Sequence, residues 1–166
     1  PDRSLYDYLL NIRVFRFDPL GAKTPDESNA DASELHPHGH NVATMLATLE
    51  SNADIRSQII DWLELIVPGM TGVSTDKQKL NGGTVIKFKE EGIKAFFPAN
   101  LISDGTIYAL CIMTAVLSRA RKIGMTFIEE PERGLHPKAI EQLVSLMREN
   151  AATEHPVFIT THSESV

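Results

Sequence analysis

Phe127-Ile128-Glu129-Glu130-Pro131-Glu132 is an apolar run that ends in two adjacent carboxylates. Further on, Val157-Phe158-Ile159-Thr160-Thr161-His162-Ser163 ends a second apolar run in hydroxyls and an imidazole. Upstream, Leu101-Ile102-Ser103-Asp104-Gly105-Thr106 is a small polar turn opening a long apolar helix. Neighbouring carboxylates repel each other unless a cation sits near. Mg2+ suits the pair, because it takes one or two carboxylates together with phosphate oxygens. The other acid is then left to orient or deprotonate water. The bland reading is two solvated loop acids. Ser103 has the type and place of a helix N-cap. The same geometry offers free N–H groups to a phosphate, with Gly105 allowing close approach. His162 is either a polar strand terminus or a donor to a terminal phosphate. Each signal is weak alone. In this fixed order they read as half of a nucleotide-hydrolysing site.

The elements that must position these residues form an α/β pattern. Ile12 to Phe17 alternates as a strand ended by Asp18-Pro19, and residues 19–38 read as a loop. A helix runs from about Asn41 to Leu49, with Val42, Met45, Leu46 and Leu49 on one face. A second runs from about Ala53 to Ile66, with Trp62 among core isoleucines, and Pro68-Gly69 stops it. Thr84–Glu90 and Ile93–Phe97 read as a hairpin around Glu91-Gly92. Asp104 to Arg121 is apolar nearly all round, which predicts a helix buried between layers. Ile123–Glu129 is a buried strand, Pro137–Asn150 an amphipathic helix with Pro in its first turn, and Val157–Thr161 the next strand. Strand, helix and strand of these lengths make a right-handed βαβ unit in a parallel sheet. There is no internal repeat or low-complexity segment.

At 166 residues with 42% hydrophobic content, the chain fits one globular domain. A net charge of −6 argues against broad attraction to nucleic acid by this segment alone. A single cysteine, Cys111, excludes an internal disulfide framework and reads as a reduced core thiol. The stretch from Ile107 to Leu117 falls short of the ~20 apolar residues that span a bilayer. No signal peptide is visible, and a soluble, reducing, cytoplasmic setting fits best. His36, His38 and His40 alternate in a loop. They read either as a Zn2+- or Ni2+-binding trio or as a polar lead into a helix.

The ordered motifs from Phe88 to Val166 resemble the C-terminal lobe of the ABC-type ATPase head. That head is found in structural-maintenance-of-chromosomes, RecF-like and related AAA-family ATPases, many linked to DNA repair or anti-phage defence. Gly39-His40-Asn41-Val42-Ala43 is similar to a helix start in the same group. The resemblance implies a P-loop NTPase-like fold with a parallel core and a helical and hairpin insertion. Residues 1–98 would be the strand, helix and hairpin portion, and 99–166 the lobe that carries the site. It implies that Leu101–Thr106, with Ser103, Asp104, Gly105 and Thr106, is the signature motif contacting the γ-phosphate of ATP on a partner head. Met125–Glu130 would be the Walker B strand, with Glu129 on Mg2+ and Glu130 the catalytic base. Pro131–Pro137 would be the D-loop region and His162 the switch histidine. A second head, and DNA or an associated nuclease, are the implied partners. A non-hydrolysing scaffold that kept the fold is the alternative. A transporter head fits less well, because Pro-Glu-Arg-Gly-Leu-His-Pro at 131–137 is unlike a transporter D-loop.

Three departures stand out. The acid pair is Glu-Glu where Asp-Glu is usual. Asp104 stands where transporters have glycine and places negative charge close to where a phosphate would dock, which either weakens binding or needs a cationic neighbour. No Gly-x-x-x-x-Gly-Lys-Ser/Thr sequence occurs. Both ends look cut, so the expectation is a fragment whose Walker A loop lies before Pro1 and which alone neither binds nor hydrolyses ATP well.

Overall fold

The computed structural model describes residues 3–162 and Glu164. In chain order the elements are α1 (Arg3–Leu10), β1 (Ile12–Phe15), α2 (Pro19–Ala22), α3 (Val42–Glu50), α4 (Ala53–Ile66), β2 (Met70–Lys77), β3 (Thr84–Glu90) and β4 (Phe97–Pro98). A short 3-10 turn at Ala99–Leu101 leads into α5 (Asp104–Arg119), β5 (Met125–Glu129), α6 (Pro137–Asn150) and β6 (Val157–Thr160). β1, β5 and β6 form a parallel sheet with β5 in the middle. β2, β3 and β4 form a separate antiparallel sheet.

α5 is the hub. It packs on β5, α2, α3, α4 and α6, and every residue from Gly105 to Val116 is buried. That is what its all-round apolar sequence requires. α4 stacks on β2 and α6, while α3 stacks on both long strands of the antiparallel sheet. One continuous core joins these layers, from Phe15 and Phe17 through Leu46, Leu63 and Phe88 to Leu143 and Met147. Cys111 is fully buried in it, and burial pushes its thiol up well above the ordinary range. Trp62 is half-buried at the edge of this core, packed against it but not enclosed.

The structure amends several expectations. β1 ends at Phe15, because the next amides leave the sheet: Arg16 N–H donates to the Pro37 carbonyl and Asp18 N–H to the His38 carbonyl. The 19–38 segment is not all loop. Asp18 accepts from the Leu20 amide and Pro19 supplies the first-turn φ, so the pair starts α2. α3 starts at Val42, and Asn41 before it buries its side chain without capping the helix. Its amide donates to the Asp31 and Glu34 carbonyls and its oxygen accepts from the His36 amide, which pins the preceding loop. The full-length partner of β3 is β2, a strand whose Gly, Ser, Thr and Asp hid it. The predicted strand at 93–97 shrinks to β4, because only Phe97 and Pro98 pair with β3 and residues 93–96 stay exposed, uncovered by any other layer. α5 stops at Arg119 and β5 starts at Met125. The α6 limits hold, and β5 and β6 pair in parallel around it as expected.

Candidate functional site

In open parallel sheets, ligands bind beyond the carboxyl ends of the strands. Glu129 ends the central strand β5, and Thr160 lies opposite it in β6. The Glu130 amide donates to the Thr160 carbonyl at 2.8 Å. Glu130 then turns out of the sheet with φ +50°, alone in this among the non-glycine residues described. That conformation costs about 1–2 kcal/mol for a residue with a Cβ, and such strain concentrates at functional sites. The two acids straddle β5. Glu129 Oε2 lies 3.9 Å from Arg16 Nε, beyond β1. Glu130 Oε1 lies 3.9 Å from His162 Nε2, beyond β6.

Two residues that sequence reasoning passed over hold this arrangement. Glu132 accepts from the Thr161 hydroxyl at 2.7 Å and from the His162 amide at 3.1 Å, tying the loop after β5 to the end of β6. Tyr108 donates its hydroxyl to the Glu129 carbonyl at 2.7 Å. Burial pushes that phenol up to about 12, so it remains a donor at any working pH. The His162 ring itself is 91% exposed, held through its backbone and free to meet a ligand. Ser163 lies outside the described residues.

The turn before α5 is built differently. Ser103 Oγ accepts from the Thr106 amide at 3.2 Å and shares a hydrogen bond with Thr106 Oγ1 at 2.7 Å, an N-cap that closes on itself. Gly105 is required by the chain's own packing: a Cβ there would sit 2.2 Å from the Gly134 carbonyl oxygen. Of the two alternatives for Asp104, the structure supplies a cationic neighbour, with Lys23 Nζ 2.5 Å from its Oδ1. Lys23 follows α2, which Asp18 caps and His40 clamps, with His40 Nε2 3.2 Å from Asp18 Oδ2. Burial pushes the Asp18 carboxyl up, but the Gly21 amide and the His40 ring outweigh it and hold it below its ordinary range. A Cβ at Gly21 would lie 2.5 Å from His40 Nε2, so glycine makes room for the clamp.

The structure thus joins Glu130 to His162 and sets Glu129 on the other side of the strand. Gly105 meets the loop after Glu130 through Gly134. No hydrogen bond or ion pair connects Ser103 or Thr106 to Glu130 or His162 among the described residues. Asp104 instead faces a groove of about 580 Å³ lined by Arg16, His38, Arg133 and Gly134.

The histidine trio does not converge. His36 faces Asp31, His38 Nδ1 lies 2.9 Å from the Arg16 carbonyl, and His40 pairs with Asp18. Among the described residues no three His, Cys, Asp or Glu side chains gather as a metal site. Mg2+ needs fewer protein ligands, since phosphate and water complete its octahedron. The side chains of Glu129 and Glu130, each 39% exposed at one strand end, are the hard oxygen donors it prefers.

Two comparisons bear on this geometry. A model of the family described as "AAA domain, putative AbiEii toxin, Type IV TA system" matches residues 2–166. The chain belongs to this AAA family. Solved structures share its fold. One is a crystal structure of an SMC head bound to the C-winged-helix domain of ScpA, with TM-score 0.53 and 11% identity over 75% of this chain and 41% of that one. Another comes from work on ATP-driven dimerisation and DNA-stimulated activation of SMC ATPases, with TM-score 0.53 and 13% identity over 70% of this chain and 72% of that one. The AAA domain therefore spans less than half the length of the first of these chains. No curated protein matches it. The expected α/β, P-loop NTPase-like fold with a parallel core holds. Among the described residues, no helix of the AAA domain is long and apolar enough to cross a membrane.

Proposed function

We propose that this AAA domain is the signature-to-switch half of an ATPase head that binds and hydrolyses ATP with Mg2+ in a nucleotide-dependent dimer. The observation that carries the reading is Glu130: a strained left-handed residue at the end of the central strand, with its carboxylate 3.9 Å from an exposed histidine. Glu130 orients the attacking water and accepts its proton. His162 donates toward the terminal phosphate and stabilises the charge that gathers there. Glu129 would hold Mg2+, which supplies charge neutralisation on the phosphates when bound. Ser103, Gly105 and Thr106 meet the γ-phosphate carried by a second copy of the head, with the Asp104 carboxylate beside them. Head closure is the mechanical output, coupled to DNA or an associated nuclease in a cytoplasmic setting; that coupling rests on family analogy.

A non-hydrolysing scaffold is the second reading. The Ser103 hydroxyl engaged in its own cap and Gly105 packed on Gly134 favour it. Glu130→Gln in the full-length protein separates the two. The ATPase reading expects turnover to fall by at least ~100-fold and an ATP-bound dimer to accumulate on size exclusion. Wild-type protein without ATPase activity, or a Glu130→Gln variant that keeps full turnover, rejects it.

A further inference from the structure

The Asp104–Lys23 pair is a charge arrangement that the proposed reaction does not use. A carboxylate in the first turn of α5 suits the helix dipole. The same carboxylate opposes any phosphate arriving at that helix end, and charges a few ångströms apart near a protein surface interact strongly. Lys23 is built into place. Its side chain is 14% exposed while Asp104 is 57% exposed, so the ammonium approaches Asp104 from the protein side and leaves the solvent side open. Most surface ion pairs hold two loose side chains. Here the lysine stem is packed, and α2 beneath it is fixed by Asp18, His40 and Gly21. Of the two arginines in the same groove, Arg16 leans on Glu129 and Arg133 makes no ion pair among the described residues, so Lys23 is the cation that meets Asp104.

We infer that Lys23 is a positioning residue for head pairing: it neutralises Asp104 so that the start of α5 can receive the terminal phosphate of ATP held by a second copy of this chain. The inference rests on the ATPase reading. It gives a reason for an acid in the signature turn, since Asp104 holds a cation beside the phosphate path without exposing a lone positive charge. Lys23 acts through Asp104, so removing Asp104 as well must repair the loss of Lys23.

The test uses the full-length protein carrying Glu130→Gln, with the dimer fraction measured by size exclusion and light scattering against ATP concentration. Adding Lys23→Ala raises the ATP concentration at half-dimer by about tenfold or more. Adding Asp104→Ser to that variant brings the midpoint back to within about twofold, while Lys23→Arg alone keeps it there. An unchanged midpoint in Lys23→Ala, or a loss that Asp104→Ser does not repair, overturns the inference and leaves the ATPase reading standing. A Glu130→Gln parent that forms no ATP-dependent dimer overturns the ATPase reading itself. Should Lys23→Ala fail to fold, Lys23→Gln serves with the same ordering.

Discussion

Glu130 holds a conformation that L-residues avoid, at the point where β5 leaves the sheet. The strain is testable apart from any chemistry. Glu130→Gly and Glu130→Ala both remove the carboxylate, but only glycine adopts φ +50° without penalty. Urea unfolding should find the glycine variant about 1 kcal/mol more stable than the alanine one; equal midpoints would mean that the turn relaxes. At this scale the sequence was informative where a polar residue ends an apolar run, as with Glu129, Glu130 and His162, or opens one, as with Ser103. It was silent on residues whose partners are far away in the chain. Nothing marks Lys23 as the partner of Asp104, or Glu132 as the acceptor for Thr161 and the His162 amide. Each looks like any solvated charge until the fold supplies its neighbour.

The elements that build this geometry have a polar anchor at the opposite end of the sheet. Arg119, at the end of α5, is buried and donates to Thr126 Oγ1 at 2.9 Å and to the Asn11 carbonyl at 2.6 Å. Thr126 Oγ1 is in turn 2.6 Å from His155 Nε2, and His155 Nδ1 is 2.5 Å from the Lys122 carbonyl. Burial depresses the His155 pKa below 6.5; the Lys122 carbonyl opposes this and the charges of Arg119 and Lys122 add to it. A histidine kept neutral by the fold stabilises it fully above the unfolded pKa, and that contribution is lost as pH falls from there through the folded value. Asp26 and Glu50, raised by burial, act in the opposite direction from lower starting values. Unfolding free energy should therefore drop more steeply from about pH 7 to about pH 5 in the wild type than in His155→Gln. Parallel curves would remove His155 from the account. α5 and α6 were readable because their periodicity matches what they bury. β2 was not, because its half-polar sequence becomes a strand only against α4 and β3.

At the scale of the whole molecule, one face of the parallel sheet is left open by the described residues. Val14, Phe127 and Phe158 lie side by side across β1, β5 and β6, the two phenyl rings stack at 4.6 Å, and Val14 and Phe158 are exposed. Leu5, Tyr6, Leu9 and Leu10 of α1 are exposed as well. Parallel sheets are ordinarily covered on both faces, and contiguous apolar surface is an association hazard. The 166-residue chain should self-associate at roughly 100 μM, and Phe158→Lys should lower the scattering intensity. A chain that stays monomeric there counts against the open face being consequential. The α/β class and the βαβ unit were legible from strand and helix lengths; which sheet face lies open was not, because exposure depends on what the other layers leave uncovered.

The contact between Gly105 and Gly134 has a mechanical consequence. Two backbones touch there with no side chain to cushion them, so the joint has no play. A shift of the 131–136 loop toward α5 would press on its first turn. Tyr108, less than one turn further on, grips the strand end that feeds that loop. The segment after the two acids and the opening of the long helix therefore abut, and neither can move toward the other without driving it.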